Sequence, residues 1–131
     1  HHFCMPVVKE EEDLISLRKY ATSGNSKFFV GTDSAPHHVD KKHPNLTSMP
    51  GIFSAPCSIE IYTTIFEEEN ALENLEKFTS INGPKFYEMP INTKFIELTK
   101  EKWPVPEFTI HKDIKIKNFL GGKELNWKLK E

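Results

Sequence analysis

The sequence predicts an α/β fold in which parallel strands are joined by a helix. Two short apolar runs, residues 3–8 (FCMPVV) and 27–31 (KFFVG), flank a segment of helical spacing that starts in the acidic cluster 9–13 and stops at Gly24. A strand–helix–strand unit of about 30 residues is typical of a right-handed parallel crossover. The second strand leads to a carboxylate, Asp33, which is how parallel α/β barrels present chemistry at their strand ends.

Composition limits the classes of function. The 131 residues are enough for one domain, and 27% charged with 37% hydrophobic residues indicates a globular chain. A net charge of −2 gives no electrostatic reason to expect nucleic acid or an anionic membrane as a partner. No apolar run approaches the roughly 20 residues that span a bilayer, and no signal-peptide layout is present. Cys4 and Cys57 lack CxxC spacing, so we expect reduced thiols in a cytoplasmic protein.

The middle of the chain combines a long loop with helices. Residues 39–56 carry scattered prolines and polar side chains, and a loop of this length is usually functional. It follows the tip of the second strand and is therefore expected on the same face as Asp33. Residues 58–82 have one apolar stripe of helical period, with a break predicted near Asn70.

After Pro90 the pattern changes to that of a small antiparallel unit. Residues 93–99 and 125–129 alternate apolar and polar side chains, as half-exposed strands do. Residues 103–106 (WPVP) read as a rigid extended link. We therefore predict two regions: residues 1–90, with two strand–helix units and the loop, and a C-terminal extension, residues 91–131.

Chain length is too small for a complete barrel. Eight strand–helix units need at least about 200 residues, and only two are predicted. The chain is expected to be either a fragment of a larger barrel or a small open α/β domain. Because the sequence opens directly on strand-like residues, we favour the fragment.

Several motifs resemble one family. Residues 31–37 (GTDSAPH) resemble the last-strand motif of dihydroorotases of the monofunctional bacterial type, in the amidohydrolase superfamily. Residues 2–6 (HFCMP) resemble the preceding strand of that family. Further matches follow in the family's order, at residues 53–56 (FSAP), 64–72 (TIFEEENAL) and 82–87 (NGPKFY). The resemblance covers nearly the whole chain.

The resemblance implies a fold and an activity. The fold would be the last two strand–helix units of a (β/α)₈ TIM barrel plus a small C-terminal β extension. The family interconverts N-carbamoyl-L-aspartate and L-dihydroorotate in pyrimidine biosynthesis, usually with two zinc ions, and often forms homodimers. Its other metal ligands come from earlier strands and have no counterpart in this chain. The chain alone is therefore expected to be inactive without the remainder of the barrel.

The resemblance also implies roles for four residues. Asp33 corresponds to the aspartate that binds a metal and handles the proton of the bridging water, as a carboxylate beside a metal-activated water can. His37 corresponds to a substrate-binding histidine that contacts a carboxylate. Met5 and Pro50 correspond to positions whose backbone holds the substrate, although a proline has no N–H to donate.

Three of these residues also have an ordinary structural interpretation. Asp33 could cap the turn that follows it, His37 could be a surface histidine, and Met5 could be a core residue of its strand. Glu67, Glu68 and Glu69 are interpreted as the solvated face of a helix.

Two other functions stay open from the sequence. One is a different cyclic amidase, such as a hydantoinase-like or allantoinase-like enzyme, because the superfamily shares the last-strand aspartate. The other is a non-catalytic barrel remnant that acts as an interaction module.

Overall fold

The helix of the predicted crossover is present. The computed structural model describes residues 1–7, 10–43 and 47–130, and helix α1 spans Glu11–Thr22. Its first turn carries Glu11, Glu12 and Asp13 at the positive end of the helix dipole, and Asp13 also accepts a hydrogen bond from the Glu10 N–H at 3.2 Å. Just after the helix, Gly24 has φ +73°, a conformation that glycine adopts without strain. Lys9, in the predicted acidic start, lies outside the described residues.

The two predicted parallel strands do not form ladders. Among the described residues, neither 3–7 nor 27–31 belongs to a strand, and Val8 lies outside the description. A strand of a parallel sheet needs a neighbour for its backbone groups. Instead of bonding to a neighbouring strand, the Val30 N–H donates to the carbonyl of Phe78, at 3.0 Å. The nearest sheet-like pairing is a single parallel bridge between Ser34 and Ile52.

The helical middle of the chain breaks where the sequence predicts. Helix α2 spans Ser58–Glu68, and Asn70 has φ +53°, which ends regular helix geometry. A 3₁₀ turn at Leu72–Asn74, a π-helical turn at Lys77–Ile81 and helix α3 at Asn82–Phe86 follow. No helix in the described part of the chain is long and apolar enough to cross a membrane.

The predicted antiparallel unit near the C-terminus is also present, as a set of nested strand pairs. The strands are β1 Leu98–Thr99, β2 Trp103–Pro104, β3 Phe108–His111, β4 Ile114–Lys117, β5 Glu124–Leu125 and β6 Lys128–Leu129. Strand β1 pairs with β6, β2 pairs with β5, and β3 pairs with β4. Strand β2 occupies the segment predicted as an extended link, and the β3–β4 hairpin was not predicted. The division at residue 90 stays a prediction.

A small core joins α2 to this C-terminal unit. Cys57, Val105 and Leu125 are buried together, with Ile61, Trp103 and Leu120 packed around them. Asn118 is buried beside them at 3% exposure. Its side-chain oxygen accepts from Thr109 Oγ1 at 2.8 Å, and its amide nitrogen donates to the Pro106 carbonyl at 2.9 Å.

Candidate active site

Asp33 lies at the rim of a cleft with its side chain exposed. Its φ of +44° places it in the left-handed region, which costs a non-glycine residue free energy, although Asp tolerates it better than most. Backbone strain of this kind is concentrated at functional sites. Asn70, Glu88, Lys112 and Leu120 also have positive φ, so the conformation of Asp33 does not by itself mark the turn as functional.

The cleft beside Asp33 has a volume of about 220 Å³ and a mixed lining of apolar and hydroxyl side chains. Burial raises the pKa of the Tyr62 hydroxyl above its usual value, so this group stays a neutral hydrogen-bond donor into alkaline pH. The other residues that line the cleft are Cys4, Thr32, Ile52, Ser54, Ser58, Ile61 and Phe119.

Ser34 fixes the turn that carries Asp33. Its hydroxyl oxygen accepts hydrogen bonds from the backbone N–H groups of Ser54 and Ala55, both at 3.0 Å. The N–H of Ala35 donates to the carbonyl of Ile52, also at 3.0 Å. The turn is thereby fastened to the segment that leads into helix α2.

Two of the predicted substrate-binding residues contact each other. His37 Nε2 lies 2.9 Å from the Pro50 carbonyl oxygen. Because a carbonyl can only accept, Nε2 carries the hydrogen and Nδ1 is the nitrogen left for another partner. Pro50 has no N–H, and its carbonyl oxygen accepts the hydrogen bond from His37. In this structure the polar backbone atom of Pro50 therefore contacts the histidine.

Met5, the third predicted substrate-binding residue, lies at the surface. Its side chain is 56% exposed, and it is absent from the described residues that line the Asp33 cleft. Its neighbour Cys4 does line the cleft, and the Cys4 thiol donates weakly to the Met5 carbonyl at 3.8 Å. The substrate contacts assigned to Met5, His37 and Pro50 stay predictions.

Lys42 is a site residue that the sequence did not indicate. It is buried at 9% exposure, and its ammonium group donates to backbone carbonyls on both sides of Pro50. A lysine inside the polar run DKKH gives no sign of burial, because the burial arises only when distant segments converge on it.

The described residues supply part of a metal site at most. None of their His, Cys, Asp and Glu side chains form a group of three or more placed to hold an ion. The oxygen donors of Asp33 fit one zinc ligand in chemical type, but zinc sites use three or four protein ligands. The other ligands of a two-zinc centre would have to come from outside these residues.

Comparison with known proteins identifies the relatives. The chain is 45% identical to a dihydroorotase of Erythrobacter litoralis over 99% of its own length, and 42% identical to one of Leptothrix cholodnii over 98%. The predicted resemblance to dihydroorotases is confirmed. No protein-family model matches the chain. It spans about 37–38% of the length of these dihydroorotases.

Solved dihydroorotase structures also match the fold. A dihydroorotase from Saccharomyces cerevisiae, solved in complex with 5-fluoroorotic acid, superposes with a TM-score of 0.91 at 37% identity, over 98% of this chain and 37% of that one. The dihydroorotase of Campylobacter jejuni gives a TM-score of 0.87 at 32% identity, over 100% of this chain and 38% of its own. The α/β arrangement of the described residues is therefore that of a corresponding part of dihydroorotases.

Proposed function

We propose that the chain is the C-terminal segment of a dihydroorotase that interconverts N-carbamoyl-L-aspartate and L-dihydroorotate. It would supply the last two strand–helix units of a (β/α)₈ TIM barrel and a small β extension. The observation that carries the proposal is identity of 41–45% to dihydroorotases over 98–99% of this chain. Residues 27–31 form no ladder with another described segment, which is consistent with a strand whose neighbours belong to the remainder of the barrel.

In the complete enzyme, the chain's own residues would divide the work. Asp33 would ligate one of two zinc ions. Its carboxylate would take a proton from the attacking water and later give that proton to the leaving amide nitrogen. Zinc supplies a water of lowered pKa when it is bound. His37 would contact a substrate carboxylate, while the Pro50 carbonyl accepts from its Nε2–H. The backbone at Met5 would hold the ring amide of the substrate.

The proposal includes a cytoplasmic homodimer with a small-molecule substrate and neither nucleic acid nor membrane as a partner. A net charge of −2 supports the expectation that neither nucleic acid nor a membrane is a partner, because surfaces that bind phosphates are basic.

The test is an Asp33→Ala substitution in the complete protein that contains this chain. We expect turnover of dihydroorotate to fall by about 10³-fold or more, since a proton-transferring group is lost, while the fold is retained by circular dichroism. The matched control is Asp113→Ala, which removes an exposed carboxylate in the β3–β4 turn. Full turnover by a folded Asp33→Ala protein would contradict the assignment.

The same preparation separates the alternatives. Activity on hydantoin or allantoin without activity on dihydroorotate would indicate another cyclic amidase. A folded, metal-loaded protein inactive on all three would favour the non-catalytic remnant. That the described residues contain no group of three or more potential metal ligands is the observation that keeps this alternative open.

A further inference from the structure

Lys42 lies where three backbone segments converge. Its Nζ donates to the carbonyl oxygens of Phe3 at 2.8 Å, Met49 at 3.0 Å and Gly51 at 2.5 Å. An ammonium group has three N–H donors, so these carbonyls use all of them. The side chain therefore connects the N-terminal segment to both sides of the loop that follows Asp33.

The burial of this charge is costly, and packing alone does not account for it. Removing an ammonium group from water costs free energy unless hydrogen bonds compensate, and burial lowers the pKa of Lys42. Its acceptors within the described structure are neutral carbonyls rather than carboxylates. An apolar side chain would fill the same space without this desolvation cost, whereas only a group with several donors holds three carbonyls together.

The position of the acceptors indicates what is held. Met49 and Gly51 flank Pro50, and the Pro50 carbonyl accepts from His37 Nε2. The Gly51 N–H also donates to the Phe3 carbonyl, at 3.0 Å. The peptide groups on either side of Pro50 are thus held by contacts that do not involve His37.

We propose that Lys42 is a positioning residue for substrate binding, which acts by holding residues 49–51 so that Pro50 orients the His37 ring. The inference rests on the proposed function, because it assumes that His37 contacts the substrate. It assigns to Lys42 an effect on substrate affinity that exceeds its effect on the chemical step.

The kinetic test compares Lys42→Met with Lys41→Met in the complete protein. Lys41 is the exposed neighbour in the same 3₁₀ turn, Val39–Lys42, so it controls for loss of charge at this place in the chain. We expect Lys42→Met to raise KM for dihydroorotate on the order of ten-fold with kcat within about three-fold, since a displaced binding group weakens binding of the ground state and the transition state alike. Lys41→Met should leave both constants unchanged. An unchanged KM in Lys42→Met, or an equal rise in Lys41→Met, would overturn the proposal.

A second variant guards against a folding defect. Lys42→Arg keeps the charge, but its planar guanidinium cannot converge on three carbonyls as an ammonium does. Lys42→Arg should likewise raise KM, by about three- to ten-fold, while kcat stays nearly unchanged. If Lys42→Met does not fold, an unchanged KM in Lys42→Arg refutes the inference.

Hydrogen exchange tests the positioning without activity. The Gly51 amide should exchange on the order of ten-fold faster in Lys42→Arg than in the unsubstituted protein, because local opening sets its protection. The Ala71 amide, which donates to Phe66 at the end of α2, should be unchanged. Equal protection of Gly51 in both proteins would refute the role of Lys42. Absence of dihydroorotase activity in the unsubstituted protein would instead refute the proposed function.

Discussion

Cys57 should resist alkylation in the folded protein. Its side chain is fully buried, and its thiol donates to the Phe119 carbonyl at 3.4 Å. Burial, reinforced by the nearby Glu60, raises the pKa of Cys57 from 9.0 to about 11. Because the thiolate is the reactive form, we predict slow reaction with iodoacetamide at pH 8.

The size of the effect follows from the two pKa values. At a pH below both pKa values, raising the pKa by two units reduces the thiolate fraction by about 100-fold. Folded Cys57 should therefore react at least about 100-fold more slowly than Cys57 of the protein unfolded in urea. Raising the pH from 8 to 10 should speed the folded reaction by about 100-fold, but the unfolded one by only about ten-fold. Since the fold favours the protonated thiol, its contribution to stability is complete below about pH 9 and is lost as the pH rises through about 11.

The assay is mass spectrometry of the peptides that contain each cysteine after timed alkylation. Cys4, which is partly exposed, serves as the comparison within the same molecule. If folded Cys57 is labelled at pH 8 within a factor of ten of its rate in urea, the thiol is accessible and the packing of this core is wrong.

Two further substitutions test the loop and the C-terminal unit. Asn118→Ala removes two buried side-chain hydrogen bonds, each worth about 1 kcal/mol, so the free energy of unfolding in urea should fall by about 2 kcal/mol. Asn126→Ala, at an exposed position, should change it little, and equal effects would contradict the role given to Asn118. Gly51→Ala adds a Cβ only 2.5 Å from the Ala35 Cβ at a φ of +132°. It should raise KM for dihydroorotate on the order of ten-fold, whereas Asp113→Ala, in the exposed β3–β4 turn, should leave KM unchanged.

Local signals predicted the helices well. The acidic start and glycine stop of α1, and the loss of apolar period near Asn70, are short-range features that need no distant partner. The strand at residues 27–31 was predicted from the same kind of evidence, but a strand also needs a neighbour to pair with. The described chain offers residues 27–31 none, and their side chains are at most half-buried, so an apolar run was an insufficient sign of a ladder.

The site was predictable only where a motif marks it. The stretch GTDSAPH located Asp33 and His37, and the structure brings His37 to Pro50 although 13 residues separate them. Lys42 was not predicted, because its three acceptors belong to segments that only the fold assembles. The β3–β4 hairpin was not predicted, although the alternation in FTIH and IKIK is a local signal that could have revealed it.

The nested strand pairs have a consequence for how the C-terminal unit closes. Leu98 and Leu129 are partners across 31 positions of chain, and closing such a loop directly would cost considerable conformational entropy. Strands β3 and β4 are separated by only two residues, so their pairing costs little and brings β2 and β5 close together. That pairing in turn leaves only a short stretch to be closed between β1 and β6. The longest-range pairing of the unit, between β1 and β6, can thus form through a series of short loop closures that starts at the β3–β4 hairpin.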